Sequence, residues 1–329
     1  MTPRVPQILL IIGCLSLGVD ASAGDYMQGA QRDAVLDKVA AEGVDRDWAA
    51  AVLDEAERKQ SILDAISRPA EKTKPWFEYR KIFLTEKRAR EGADFAAQHA
   101  ETLADVSAQT GVPASVITAI IGVETFYGRI AGSYRVVDAL ATLAFDYPRR
   151  APFFTSELEN FLVLAYESGR DPLALKGSYA GAMGYGQFMP SSYRAYAKDY
   201  DGDGVADIWS SPDDAIASVA NYFVRHGWQP GAPVVVPAND GGAPPDIYEG
   251  GLKPTYSVGE LAQQGFAPRE ATDVALMATP LRLEGVDGPE YWLCLENFYV
   301  ITRYNHSAMY ALSVWQLSQE IENLAQEGA

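Results

Sequence analysis

The stretch Ile117-Thr118-Ala119-Ile120-Ile121-Gly122-Val123-Glu124 governs how the rest of the chain is read. Ile117, Ile120, Ile121 and Glu124 fall at i, i+3, i+4 and i+7, so they share one face of a helix. Pro113 suits its first turn, and Gly128 lies just past its end. The spacing predicts a buried apolar face that ends in a carboxylate. Burial disfavours the ionised form, so such a group holds its proton more tightly than it would in water. A carboxylic acid still protonated at working pH is what general-acid catalysis requires. The plain alternative is a helix-end glutamate turned to solvent or paired with Arg129 or Arg135.

Before this helix, residues 25–110 are rich in Ala, Glu, Lys and Arg, with Val35, Val39, Ala97, Leu103 and Val106 at helical spacings. Pro69 and Pro75 punctuate the region, and Gly111-Val112-Pro113 breaks it. After it, helical stretches alternate with Gly/Pro loops up to residue 228. One of them, Ser156 to Glu167, carries the stripe Leu158, Phe161, Leu162 and Ala165. The composition then shifts: residues 229–254 hold six prolines and five glycines around Val234-Val235-Val236. Val274, Leu276, Leu281 and Leu283 suggest strand. Tyr291 to Ile301 is apolar on both faces, as in a buried strand. A helix from about Ser307 to Gln326 closes the chain. The expected division is a leader at 1–23, a helical region at 24–110, a core at 111–228, a small β module at 229–300 and a closing helix at 301–329 that packs back on the helical body. The class is mainly α (α+β).

A chain of 329 residues that is 48 % hydrophobic can bury a large core. Its formal charge of −17 argues against nucleic acid, which needs a basic face, and against anionic lipid as a docking surface. Residues 1–23 have the form of an export signal: Arg4, the apolar run Ile8 to Val19, then Ala21-Ser22-Ala23 as a cleavage site. Ile11-Ile12-Gly13-Cys14 is a rival signal for a lipid anchor, with a shortened apolar run. Cys14 leaves with the signal or carries lipid, so Cys294 has no intrachain partner and reads as a core residue.

Two further stretches carry chemistry. In Asp199-Tyr200-Asp201-Gly202-Asp203-Gly204-Val205-Ala206-Asp207, carboxylates stand at loop positions 1, 3, 5 and 9, with glycine at 6. That matches the first part of an EF-hand calcium loop, in which Val205 offers its carbonyl from position 7. Ser210 replaces the bidentate glutamate at position 12, and Asp213 or Asp214 is left to close the shell. An acidic surface turn is the plain alternative. The second stretch runs Gly177-Ser178-Tyr179-Ala180-Gly181-Ala182-Met183-Gly184-Tyr185-Gly186-Gln187-Phe188-Met189-Pro190. Its glycines let backbone approach a ligand closely, and its amide, hydroxyl and rings suit a sugar. A tight structural loop is an equal reading. No HExxH and no G-x-S-x-G is present.

Together these stretches resemble the lytic murein transglycosylases of the membrane-bound transglycosylase B type. The matching text includes Ile120 to Thr125, Ala139 to Leu143, Tyr147-Pro148-Arg149-Arg150, the glycine loop through Tyr193, Val219 to Phe223 with His226-Gly227-Trp228, and Asn297 to Asn305. The resemblance implies a lysozyme-like core of the goose type. It implies cleavage of the β-1,4 bond between N-acetylmuramic acid and N-acetylglucosamine in peptidoglycan without water, leaving 1,6-anhydromuramoyl ends. It places the catalytic glutamate on Glu124 and sugar contacts on Ser178, Gln187, Tyr222, Tyr304, Asn305, Tyr79 and Tyr310. It implies a structural calcium ion on Asp199, Asp201, Asp203, Val205 and Asp214, and no cofactor for the chemistry. It also implies a monomer in the periplasm that acts on glycan strands, with cell-wall synthesis enzymes as candidate partners and an outer-membrane anchor only through Cys14. The rival enzyme is a muramidase that uses water, with Asp138, Asp146, Glu157 or Glu159 as its second carboxylate. The rival from another class is a non-catalytic peptidoglycan-binding module.

Overall fold

The computed structural model describes residues 26, 28–67 and 74–327. The leader at 1–23, with Cys14, lies outside the described residues, as does Pro69.

Six helices come first: α1 (Ala30–Ala41), α2 (Arg46–Asp54), α3 (Gln60–Ser67), α4 (Trp76–Phe83), α5 (Glu86–Gln98) and α6 (Ala100–Thr110). Their starts follow capping rules. Asp45 accepts the Trp48 amide, and Thr85 accepts the Arg88 amide. Five more follow: α7 (Ala114–Thr125), α8 (Val136–Asp146), α9 (Ala151–Glu167), α10 (Pro190–Tyr196) and α11 (Pro212–Arg225). A two-stranded ladder of β1 (Tyr134–Arg135) and β2 (Lys176–Gly177) ties the segment before α8 to the glycine loop.

Helix α7 is apolar on nearly every side and is almost wholly buried, as expected of a helix at the centre of a core. Ile117, Ile120 and Ile121 are fully buried. Helix α7 packs against α5, α11 and the long last helix α14 (Ala308–Glu327). Thus residues more than 180 positions apart in sequence meet around the end of α7.

The second apolar centre belongs to an antiparallel sheet. Its strands are β3 (Val235–Asp240), β4 (Tyr256–Ser257), β5 (Phe266–Pro268), β6 (Met277–Gly285) and β7 (Gly288–Cys294), in the spatial order β4-β6-β7-β3-β5. Successive side chains on a strand face opposite ways. Val235 and Cys294 accordingly join the helical core, while Val236, Ala238 and Leu293 join the second cluster with Val258 and Leu261 of α12 (Val258–Gln263).

The sheet corrects one expectation. Tyr291 to Ile301 is not one strand: β7 stops at Cys294 and α13 (Glu296–Tyr304) begins. Both halves are buried, so both look uniformly apolar, and periodicity cannot find the switch between them. Val274 and Leu276 precede β6 rather than lying in it. No single helix among the described residues is long and apolar enough to cross a membrane.

Candidate active site

The backbone turns sharply right after Glu124. Phe126, Tyr127 and Gly128 have φ of 52°, 61° and 84°. Left-handed conformations at two non-glycine residues cost on the order of 1–2 kcal/mol each, so the surroundings must hold them. Tyr127 is buried, and its hydroxyl donates to the Arg88 carbonyl at 2.7 Å. It fits because α5 and α7 each present a glycine: a Cβ at Gly92 or Gly122 would stand 2.4 or 2.6 Å from the Tyr127 hydroxyl. The Phe126 ring lies 4.8 Å from the Arg88 guanidinium and 4.6 Å from that of Arg129. Gly128 leaves room for the Tyr185 ring, which a Cβ there would meet at 2.2 Å.

Glu124 itself is half-buried. Tyr310 of α14 donates its hydroxyl to Glu124 Oε1 at 2.5 Å. Burial raises the phenols of Tyr79 of α4 and Tyr304 at the end of α13, and the nearby Glu124 charge raises both further. Arg129 pairs instead with Glu91, and Arg135 with Asp138, so the reading of Glu124 as a surface ion pair is overturned. Burial pushes the Glu124 carboxyl up to about 7, against the opposing pull of the Tyr310 hydrogen bond. Glu124 also sits in the last turn of α7, where the helix dipole disfavours negative charge. The result is a carboxyl able to hold and release a proton near neutrality.

The structure brings Tyr79, Tyr304 and Tyr310 together at Glu124, drawn from three separate helices. Of the other expected sugar contacts, Tyr222 packs on Tyr304 and Gln187 adjoins the loop residue bonded to Tyr304. The Tyr304 hydroxyl donates to the Gly186 carbonyl at 2.5 Å, tying α13 to the glycine loop. Tyr222 is buried behind Tyr304, with ring centres 4.7 Å apart, and its hydroxyl donates to the Arg303 carbonyl. Gln187 takes a positive φ of 51°, and its Nε2 donates to the carbonyls of Ala131 and Gly184. The Ser178 hydroxyl accepts the amides of Ala180 and Ala182. Asn305 is exposed at the end of α13.

The glycines of this loop serve the chain's own packing. A Cβ at Gly177 would stand 2.2 Å from the Ala182 carbonyl oxygen, and one at Gly184 would stand 2.3 Å from that of Ile208. The loop is tightly packed on the chain itself at these glycines.

The acidic loop lies next to it. Carboxylate oxygens of the exposed Asp199, Asp201 and Asp203 lie within 4.8 Å of one another. Asp199 accepts the amides of Gly202 and Gly204, and these hold its carboxyl below the usual range, Gly204 foremost. Asp213 turns away to Thr102 and His99. Asp214 is buried beneath the loop and accepts the amides of Tyr200 and Asp207. Asp214 is therefore the one of the pair that faces the loop. Three like charges at this spacing repel, and a divalent cation among them offsets that repulsion, so the donor set fits calcium.

Sequence reading missed Thr125, whose hydroxyl reaches the Tyr185 carbonyl at 2.9 Å. It also missed Glu290 of β7, which accepts from Trp76 and Arg80 on either side of Tyr79 and so anchors α4. Local spacing carries no signal for bonds of this range.

A protein-family model described as a transglycosylase SLT domain matches residues 28–319. The chain belongs to the lytic transglycosylase family. This transglycosylase is 46 % identical over 308 residues to the membrane-bound lytic murein transglycosylase B of Escherichia coli K12, covering 91 % of this chain and 84 % of that one. Two solved structures superpose closely. The catenated lytic transglycosylase SltB1 of Pseudomonas aeruginosa is 51 % identical with a TM-score of 0.87, covering 92 % of this chain and all of that one. The Escherichia coli lytic transglycosylase Slt35 in complex with calcium is 45 % identical with a TM-score of 0.83, covering 92 % of this chain and 96 % of that one. The fold is thus the lysozyme-like, mainly helical one of this family, and the transglycosylase is a lyase that cleaves peptidoglycan non-hydrolytically.

Proposed function

We propose that Glu124 is the single acid/base group of this transglycosylase and that it acts on the β-1,4 bond between N-acetylmuramic acid and N-acetylglucosamine. One observation carries this reading: Glu124 is a shielded carboxyl with no cationic partner among the described residues, held by the Tyr310 phenol at the end of a helix, with its carboxyl pushed up to about 7 by burial. Glu124 gives its proton to the glycosidic oxygen as the bond breaks. Positive charge grows at the muramoyl anomeric carbon, where the substrate's own N-acetyl oxygen stabilises it. The Glu124 carboxylate then takes the proton of the muramoyl C6 hydroxyl, whose oxygen closes the anhydro ring.

One carboxylate suffices because the nucleophile belongs to the substrate, whereas ordinary glycosidases need two. Three of the four candidates for a second carboxylate are bonded to other groups, and the fourth lies toward α1. Asp138 is bound by Arg135. Asp146 accepts from Tyr26 and pairs with Arg58. Glu157 accepts the amide and hydroxyl of Ser191. Glu159 lies by Lys38 and Glu42 near α1. This favours the anhydro-forming reaction over the water-using muramidase.

In the same reading Tyr79, Tyr304, Tyr310, Ser178, Gln187 and Asn305 line the sugar site, with Tyr222 bracing Tyr304 from behind. The Ser178 proton and the Gln187 carboxamide oxygen are the groups there that the loop's own bonds leave for a sugar. Asp199, Asp201, Asp203, the Val205 carbonyl and Asp214 hold a structural calcium ion, supported by the relative solved with calcium. The substrate is murein strands in the periplasm, in keeping with the name of the Escherichia coli relative. The chain reaches that compartment through the leader at 1–23, with lipidation at Cys14 as the competing route. The sheet's own apolar centre supports a β module within 229–300, while residues of 24–110, 111–228 and 301–329 share one continuous helical core, and α13 (Glu296–Tyr304) runs across the boundary at 300.

Mass spectrometry of digested cell walls tests the reaction. Anhydromuramoyl ends are expected. Reducing ends, heavier by one water, would overturn it.

A further inference from the structure

Thr125 follows Glu124 and is 1 % exposed. Its Oγ1 lies 2.9 Å from the Tyr185 carbonyl and 3.2 Å from the Ile121 carbonyl, and it accepts the Gly128 amide at 2.9 Å. A hydroxyl has one proton to give, and the shorter contact, across to the glycine loop, receives it. The same loop residue bonds in the other direction: the Tyr185 amide donates to the Ile208 carbonyl at 2.9 Å. Ile208 ends the acidic loop. The residue before it, Asp207, donates its amide to the buried Asp214 carboxylate at 2.6 Å. A short run of bonds therefore leads from Asp214, through Ile208 and Tyr185, to the residue beside Glu124.

This run has little slack. Gly184 has φ of 67° and brings its Cα against the Ile208 carbonyl, while Gly128 does the same against the Tyr185 ring. Where packing is this close, displacement at one end is passed on rather than absorbed.

We propose that Thr125 is a positioning residue for Glu124, and that Thr125 and Tyr185 couple the aim of that carboxylate to cation binding in the acidic loop. The proposal rests on the reading of Glu124 as the acid/base. Linkage makes the coupling reciprocal: loosening the turn at Thr125 weakens the loop's hold on the cation.

Two substitutions in the full chain test it. Thr125→Val keeps the shape and removes the hydroxyl, and Thr125→Ser keeps the hydroxyl. With soluble glycan strands as substrate, Thr125→Val is expected to lower kcat about tenfold, the worth of one buried hydrogen bond, with little change in KM. Thr125→Ser should restore kcat. Without substrate, calcium titration followed by tryptophan fluorescence should show several-fold weaker binding to the Val variant and unchanged binding to the Ser variant. Wild-type kcat or wild-type calcium affinity in Thr125→Val would overturn the proposal. A third measurement needs no variant: hydrogen exchange of the Tyr185 amide should slow when calcium is added, and an unchanged rate refutes the coupling. Failure of the Glu124 reading shows itself separately, as retained turnover in Glu124→Gln.

Discussion

Glu124 and Asp138 stand on successive helices of one core, and the chain treats them in opposite ways. Asp138 is 1 % exposed, yet it is fully partnered: Arg135 Nε and Nη2 each donate at 2.8 Å, and the Glu57 amide donates at 2.9 Å. It lies in the first turn of α8, where the helix dipole favours negative charge. Glu124 lies in the last turn of α7, where the dipole opposes it, and among the described residues the side chain bonded to it is the Tyr310 phenol. Burial alone therefore does not make a proton-transfer group. What separates the two is the counter-ion and the end of the helix. Asp138 is held by Arg135 and the Glu57 amide and ties those segments together. Glu124 is left poised between its two protonation states.

The largest test of this contrast is Glu124→Gln, which should lower turnover by about 10²–10⁴-fold, the usual worth of a positioned acid/base. Asp138→Ala should instead act on the fold. It leaves the Glu57 amide without its acceptor and Arg135 on the Glu55 carbonyl and the Glu57 carboxylate, and denaturant unfolding should show a loss of ~2 kcal/mol. Turnover losses of similar size in the two variants would erase the distinction.

A smaller effect concerns stability and pH. The folded chain holds the Glu124 proton up to about 7, whereas the ordinary carboxyl loses it near 4.5. Between these values the folded state binds the extra proton, so Glu124 costs stability as the pH rises through that window. Glu124→Gln removes the cost. The variant should match the wild type below pH 4.5 and exceed it by about 2 kcal/mol at pH 8, after allowance for partial exposure. Equal stability at pH 8 would show the carboxylate to be well solvated.

The smallest effect is expected from Tyr310→Phe. The phenol stabilises the charged form of Glu124, so its loss should move the alkaline fall in kcat, set near pH 7, to higher pH. Turnover at pH 6 should stay within about tenfold, the scale of one hydrogen bond. A shift to lower pH would mean that the phenol supports the neutral acid instead.

Much of this was legible in the chain itself. The Ile117, Ile120, Ile121, Glu124 stripe found α7 and its terminal carboxylate because helical periodicity is a local property. The Asp199, Asp201 and Asp203 spacing likewise found the acidic loop, since its ligands come from one short segment. The junction of β7 and α13 was hidden because both are buried on every side. The glycine loop read equally as a ligand cradle or a tight turn, and spacing gave no sign that Leu140 and Ile208 fill the space beside Gly181 and Gly184.

Sequence by itself settled which carboxylate ends an apolar helix, which loop gathers negative charge, and which family the chain resembles, because each rests on residues a few positions apart. Only the tertiary structure decided that Arg129 and Arg135 turn to Glu91 and Asp138, that tyrosines from three distant helices close on Glu124, and that Asp214 rather than Asp213 lies under the acidic loop. Those outcomes depend on which surfaces meet when helices pack, and spacing along a chain does not encode the meeting of surfaces 180 residues apart.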